Sequence, residues 1–590
     1  MCGIVGFIGH GQAAPVMLSA LKRLEYRGYD SAGMALISNG TIAWGKDTGK
    51  LDEVEARQSL SGLAGSVGIG HVRWATHGAV TQGNAHPHLD CTQRIAVVHN
   101  GIIENYIQLR RRLGHRHDLV SDTDTETIAH LIEEYVEEGA SLEKAVFQTV
   151  KELRGSYAIL AISAREPHKI VAARKDSPLV VGIGERGNYL ASDALSFLED
   201  TNKVIFVEDG EVVSLSDDGV AIIDSGGIEV YREPQEINWR WDQATKLGYD
   251  FFMHKEIMEQ PQAVRCALMQ DRHQMMEMAM EILRAREVVL TGCGTSRHAA
   301  LIGRYLFSRL GGKFTDVIMG SEFHHFSDSM DRNTLVLAVS QSGETADVLE
   351  GVKRAKESGA TIFSLVNVVG SSLARVSDQA VYLNCGPEIG VAATKSFVSQ
   401  LAILYILAYA MTNRLREGVR MVRAVSPLIE KNCLVNGDMM MGLAQRLRDE
   451  DHVYYIARGI NFAVASEAAL KLKEIAYTHA EGMPAGELKH GTLALIERGT
   501  PVVAICPADY TFEETMSNIA EAKARGAFVI GVSDREDGLF DEWIRIPPVD
   551  EVFYPLVSIV PLQLLAYHAA VARGLDPDKP RNLAKSVTVR

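Results

Sequence analysis

Paired cysteines are missing from this chain. Its seven cysteines, at positions 2, 91, 266, 293, 385, 433 and 506, are odd in number, widely scattered and without any C-x-x-C pair. That excludes a disulfide framework or a zinc knuckle and points to a reducing, cytoplasmic compartment. A basic excess is missing too: Asp and Glu outnumber Lys and Arg by 75 to 60, for a formal charge of −15. No nucleic-acid-binding face is therefore expected, and an anionic substrate must be met by local donors. The N-terminus lacks a basic start followed by a long apolar run, which argues against a secretory signal. The most apolar segment, Leu401–Met411, is too short for the ~20 residues that span a bilayer and reads as a buried helix. What is present is ordinary for a soluble globular protein: 590 residues, 46% hydrophobic and 23% charged, with room for roughly three to five domains.

The first part of the chain is strand-rich. Met34–Ile37 and Thr41–Trp44 flank Asn39-Gly40, a tight-hairpin signal, and Val204–Val207 and Val212–Leu215 flank Asp209-Gly210 in the same way. Met17, Ala20, Leu21 and Leu24 fit the helical i, i+3, i+4, i+7 spacing, as do Ile128, Leu131, Ile132 and Tyr135. The combination predicts an α+β sandwich over residues 1–231. Residues 232–248, with proline, charge and little periodicity, read as a linker. Beyond it strands alternate with long helices, the pattern of doubly wound parallel sheets. This half repeats itself. Val288–Ser296 parallels Val453–Asn461, Thr334–Val339 parallels Thr500–Ile505, and Ala355–Ala360 parallels Ala522–Ala527. Two copies of one α/β unit are expected, at 249–430 and 431–575, followed by a tail at 576–590.

The second residue is a cysteine inside an apolar run, Gly3–Gly9, that reads as a strand. With the initiator Met removed, its α-amine, of reference pKa about 7.7–8.0, could take the thiol proton. His71–Gly78 and His99-Asn100-Gly101 each follow or contain an apolar strand. There Arg73 can pair with a carboxylate, and Asn100 with the N–H of Gly101 can stabilise an oxyanion. Asp124 sits where Thr123 and Glu126 match a capping box; helix capping and holding an ammonium group are both open to it. In the second half, Ser340-Gln341-Ser342-Gly343-Glu344-Thr345 stands between a strand and a helix, where free N–H groups and three hydroxyls suit a phosphate monoester. Thr295 and Ser296, after a Gly-x-Gly too short for a dinucleotide fingerprint, add hydroxyls to the same phosphate or sugar. The corresponding stretch of the second copy, Cys506–Thr511, has lost the serines and gained an acid. Glu467, Lys471 and Glu474 form one helical stripe, by pattern alone a solvated ion-pair row. His490 lies in a glycine-flanked loop, and Lys585 in the tail would ordinarily be solvated. His86/His88, His115/His117 and His324/His325 have no carboxylate or cysteine beside them at ligand spacing, so no metal is expected.

These stretches resemble the glucosamine-6-phosphate synthase family over nearly the whole chain. Met1–Gly6, Arg23–Gly33, His71–Gly78, His99–Gly101 and Thr123–Glu126 are similar to a class II glutamine amidotransferase domain of the N-terminal nucleophile hydrolase fold. Gly292–Ser296, Ser340–Thr345, Lys471–Glu474, Gly486–Gly491 and Asn582–Val589 are similar to tandem sugar-isomerase (SIS) domains. The resemblance implies Cys2 as nucleophile, Asn100 and Gly101 as oxyanion hole, and Arg73, Trp74, Thr76, His77 and Asp124 around glutamine, with Trp74 gating an ammonia channel. It implies Thr295, Ser296, Ser340, Gln341, Ser342 and Thr345 at the phosphate of fructose 6-phosphate. His490 would open the ring, Lys585 form the Schiff base, and Glu474 with Lys471 move the C1/C2 proton, in a homodimer. Imine formation acidifies the C1 proton, so no cofactor or metal is implied. Two departures stand out: Ala393 replaces a serine common in relatives, and Asn238-Trp-Arg-Trp241 is an unfamiliar hinge. Asparagine synthetases and phosphoribosyl amidotransferases would need nucleotide or pyrophosphate loops that are absent. Another ketose phosphate, or a non-catalytic sugar-phosphate sensor, stays open.

Overall fold

The computed structural model describes residues 2–588 except 76, 218, 238, 240–242, 244 and 436. Thr76 and most of the unfamiliar hinge thus lie outside the described residues. The chain divides into two compact units, 1–244 together with 584–590, and 245–583. The boundary falls inside the expected linker, but the last seven residues group with the first unit.

The first unit holds an eight-stranded and a six-stranded sheet, whose strand pairs are antiparallel. Gly3–Gly9 lies inside the larger sheet, paired on one side with Val67–Arg73 and on the other with Gly187–Ala191. Apolar side chains of both sheets, including Ile4, Ile8, Ile69, Val98, Leu160 and Leu190, form one core. The outer face of the smaller sheet is covered by the helices Glu126–Glu137 and Leu142–Glu152. Helix Ala13–Leu24 covers the larger sheet and buries Met17, Ala20, Leu21 and Leu24, as their spacing predicted. Period-two alternation along Ile95–Ile103 sends Ala96 and Val98 to the inter-sheet core and Ile95 and Val97 to the helices. Asn100, in phase with Val98, faces the same way as Val98.

The Asn39-Gly40 hairpin forms as expected, with Ser38 opposite Thr41 and both turn residues at positive φ. The second expected hairpin does not. Lys203–Phe206 belongs to the eight-stranded sheet and Val212–Ser216 to the six-stranded one. Asp209 explains the crossover, because its carboxylate accepts from the buried Arg174 side chain (3.1 Å) and from Asp176 N (2.9 Å), drawing the turn toward the smaller sheet. The expected capping box is also absent. Thr123 Oγ1 bonds Ser121 and His88 instead, and Glu126 accepts from Val120 N and Ser121 N.

A buried lysine holds the segment before the smaller sheet. Lys46 Nζ donates to the carbonyls of Ala85 (2.7 Å), Pro87 (3.0 Å) and Gly83 (3.3 Å). Burial pushes its ammonium down to about 8, against the pull of Glu126 and aided by Arg73. Because the folded value is depressed, the unfolded chain binds more protons between pH ~8 and ~10.5. Stability should therefore rise with pH across that window, by up to about 3 kcal/mol. Comparing wild type with Lys46→Met in urea melts at pH 8 and pH 10.5 checks this; equal pH slopes would refute it.

The second unit contains two five-stranded parallel sheets of identical strand order. Counting strands within each copy, both run 2-1-3-4-5. The first starts from Glu287–Gly292 and the second from His452–Ala457. The repeat read from sequence is thus a structural repeat. One continuous apolar core serves both copies. All residues of the helix Lys395–Met411 are buried in it, as expected of that segment. Glu551–Ala572, passed over in the sequence, is long and apolar enough to cross a membrane. Yet 83% of its most apolar window is buried inside the protein, against the helices Asn461–Ala476 and Gly437–Leu447.

Candidate active sites

At the start of the first strand, the half-buried Cys2 Sγ accepts a hydrogen bond from Trp74 N at 3.2 Å, and Asn100 Nδ2 donates to Cys2 O at 3.1 Å. Three distant segments therefore meet at Cys2. Burial pushes the thiol up, opposed by the Trp74 N–H and by Arg73, so a nearby base is needed to make a thiolate. Arg73 is buried; Asp30 and Asp124 are the negative groups that offset the cost of that burial. Its guanidinium donates to the carbonyls of His77 and Gly78, shaping the loop that carries His77. Asp124 does not cap its helix; its carboxylate accepts from Ile103 N at 2.8 Å, which fixes it beside the strand carrying Asn100 and Gly101. Trp74 packs edge-on against Tyr29 and His77 edge-on against Tyr106.

Gly101 is required by its backbone. It sits at φ +129, and a Cβ there would lie 2.0 Å from the carbonyl oxygen of Ser156 on the paired strand. Gly101→Ala should cost about 2 kcal/mol or more and displace the N–H assigned to the oxyanion hole. Thermal unfolding together with glutaminase kcat measures both effects; an unchanged kcat would remove Gly101 from the hole.

Behind this site His71, His86, His88 and His99 form a buried cluster, with the His71 and His86 rings stacked at 3.9 Å. Burial drives all four well below or below the usual histidine range. They are neutral hydrogen-bonding supports: His99 Nδ1 bonds Thr125 and His88 Nε2 bonds Thr123.

In the second unit the serine turn follows the buried strand Thr334–Ser340 and leads into the helix Ala346–Glu357. Ser340 Oγ accepts from Gly343 N (3.0 Å) and Ser342 Oγ from Glu344 N (3.2 Å). Thr345, at the cap position, makes no side-chain cap bond, so its hydroxyl is not used to start the helix. Gly343 lies at φ +66 with Ser371 Oγ 2.2 Å from where a Cβ would stand, which lets a second hydroxyl crowd the turn. In the other copy the equivalent turn is filled by its own side chains. Asp509 accepts from Asn461 Nδ2 (2.8 Å) and Thr511 N (2.8 Å), and the Tyr510 hydroxyl lies against Gly459.

The Glu467–Lys471–Glu474 stripe is not the solvated row that its pattern suggested. Glu467 and Lys471 are fully buried where the helices Gly294–Arg309 and Asn461–Ala476 of the two copies pack together. Lys471 Nζ stands 2.6 Å from Glu474 and 3.4 Å from Glu467, and donates to Thr295 Oγ1 at 3.0 Å. Glu467 also accepts from Thr295 (2.9 Å) and pairs with His298 (2.7 Å). Burial works to strip the Lys471 proton, but Glu467 and Glu474 reverse this and raise its affinity above the ordinary lysine value. Thr295 is thus engaged between the copies, and Ser296 Oγ accepts from Gln400 (3.0 Å). Only Glu474 of the trio keeps a partly exposed side chain, at 23%.

His490 is exposed in a short 3₁₀ turn, Ala485–His490. The tail departs beside the end of the Glu474 helix, where Arg581 N donates to the Tyr477 hydroxyl (2.6 Å) and its guanidinium covers the Tyr477 ring. Lys585 lies beyond, half-buried in a segment that groups with the first unit.

Sequence reasoning missed Glu388, whose buried carboxylate organises the loop of the Ala393 departure by accepting from Thr394 N, Ser396 N and Ser396 Oγ. It also missed His298 and Asp30; the latter accepts from Ala75 N at 2.8 Å. Asp30 lay in a stretch already singled out. His298, at i+3 from Thr295, carried no signal until the two copies were packed.

The two folds define the class: a glutamine amidotransferase domain joined in one chain to a pair of sugar-isomerase (SIS) domains. Family models agree, with a glutamine amidotransferase domain matching residues 71–199 and a SIS domain matching 281–410 and 446–573. Over the full length of both chains the protein is 50% identical to the glutamine–fructose-6-phosphate aminotransferase (isomerizing) of Methanothermobacter thermautotrophicus and 48% identical to that of Thermococcus kodakarensis. The C-terminal domain of glucosamine-fructose-6-phosphate aminotransferase from Francisella tularensis is also similar. It aligns over its whole length with 57% of this chain, at 32% identity and a TM-score of 0.53. The chain belongs to the isomerizing glutamine–fructose-6-phosphate aminotransferase family.

Proposed function

We propose that this enzyme converts glutamine and fructose 6-phosphate into glutamate and glucosamine 6-phosphate. The observation that carries the reading is the buried Lys471 pinned 2.6 Å from the partly exposed Glu474 on the inter-copy helix. A carboxylate held beside a fixed ammonium suits a proton shuttle on a sugar.

With Met1 removed, the Cys2 amine takes the thiol proton and the thiolate attacks the glutamine side-chain amide. Asn100 Nδ2 and Gly101 N–H stabilise the resulting oxyanion. Arg73, Thr76 and His77 hold the glutamine carboxylate, and Asp124 its ammonium group. Collapse releases ammonia and leaves a thioester, which water hydrolyses to glutamate. Ammonia travels inside the protein past Trp74. Ser340, Gln341, Ser342 and Thr345, with Ser296 and Thr295 behind them, position the sugar phosphate. His490, exposed in a single chain, reaches the site of a second subunit and opens the ring, so the working form is a homodimer in the cytoplasm. Lys585 forms an imine with the ketose, ammonia displaces it, and Glu474 carries the proton between C1 and C2. The enzyme thereby supplies amino sugar for hexosamine synthesis.

Incubation with both substrates should yield glucosamine 6-phosphate and glutamate in equal amounts. Glutamate without amino sugar would refute the reading.

A further inference from the structure

Away from both sites, four potential metal ligands converge from separate segments of the first unit: Cys91, His117, His130 and Glu133. One ligand atom from each lies within 4.8 Å of the others. Cys91 Sγ is 3.5 Å from His117 Nδ1 and 3.6 Å from His130 Nδ1; Glu133 Oε2 is 2.9 Å from both imidazole nitrogens. For metal–ligand bonds of about 2.0–2.3 Å, the edges of a tetrahedron are about 3.3–3.8 Å. The sulfur–nitrogen distances already match, and the carboxylate needs to retreat by only a few tenths of an ångström.

We infer that Cys91, His117, His130 and Glu133 form a tetrahedral structural zinc site. One thiolate, two imidazoles and one carboxylate are the borderline-soft donor set that suits Zn²⁺, and four protein donors close the coordination sphere. The side chains of His117, His130 and Glu133 are only 5%, 1% and 4% exposed, while Cys91 is exposed and offers the way in. The outer contacts also suit a metal. The second ring nitrogen of His117 faces Glu134 at 3.7 Å, the pairing that orients a ligating imidazole. On binding, the Cys91 thiol releases its proton to solvent. Linear spacing hides the site, because only His130 and Glu133 are near neighbours, at i and i+3 on one helix.

The placement gives the metal a task. Cys91 immediately precedes the strand bearing Asn100 and Gly101, and His117 precedes the loop bearing Asp124. The ion would tie that strand, that loop and the helix Glu126–Glu137 together, holding the glutamine pocket in register without touching substrate.

The test uses the full chain, stripped with a chelator and then titrated with Zn²⁺ or Co²⁺. One metal per chain should survive desalting. Cobalt should give tetrahedral ligand-field bands and a thiolate charge-transfer band. Cys91→Ser should abolish the charge-transfer band, and both Cys91→Ser and His117→Ala should weaken zinc binding by at least about 100-fold. Zinc should raise the Tm of wild type but of neither variant, and its removal should raise KM for glutamine more than it lowers kcat. A protein retaining no metal, or a cobalt spectrum unchanged by both substitutions, would show a hydrogen-bonded cluster only and overturn the inference. The metal readouts do not depend on which sugar is aminated.

Discussion

Replacing Cys2 by alanine is expected to lower glutamine-dependent formation of amino sugar by at least about 10⁴-fold, because the proposed acyl intermediate forms on its thiol, which sits beside Trp74 N. Conversion of fructose 6-phosphate to glucose 6-phosphate should stay within about twofold of wild type, since the proton shuttle we propose for it uses Glu474 and Lys471 and not Cys2. Parallel assays of glutamate release and of aldose formation measure the two. Glutamine use persisting within tenfold of wild type would remove Cys2 as the nucleophile. Intact-mass measurement should show Met1 absent from active enzyme, since only then do amine and thiol belong to one residue.

The second large effect concerns Glu474. Glu474→Gln keeps the shape and a hydrogen bond to Lys471 but cannot carry a proton. Amino-sugar formation and isomerisation should therefore both fall by about 10²–10⁴-fold, with glutaminase turnover intact. Lys471→Met separates chemistry from stability. It leaves the wholly buried Glu467 with only Thr295 and His298, and should destabilise the protein by roughly 3–5 kcal/mol in addition to lowering activity. Thermal melts of the two variants should diverge accordingly. If Glu474→Gln retained full isomerase activity, the proton shuttle would have to be assigned elsewhere.

Where the sequence was informative, local physics explains why. The Asn39-Gly40 turn, the helix Ala13–Leu24 and the internal repeat follow from turn chemistry, apolar periodicity and self-similarity, all of which act over short stretches. The serine turn was legible for the same reason: strand, hydroxyl cluster and helix start lie within a dozen residues. The Asp209-Gly210 turn failed because a buried arginine on a strand thirty-five residues earlier competes for Asp209. The Thr123 capping box failed because His88 and Ser121 took its hydroxyl.

What the sequence alone determined was the fold class of each half and the duplicated α/β unit. Burial was decided only in three dimensions. Whether the Glu467–Lys471–Glu474 stripe faced water or a partner helix depended on how the two copies pack, and a charged row looks the same in either setting. The meeting of Cys91 with His117, His130 and Glu133 was likewise invisible, because convergence in space leaves no periodicity along the chain.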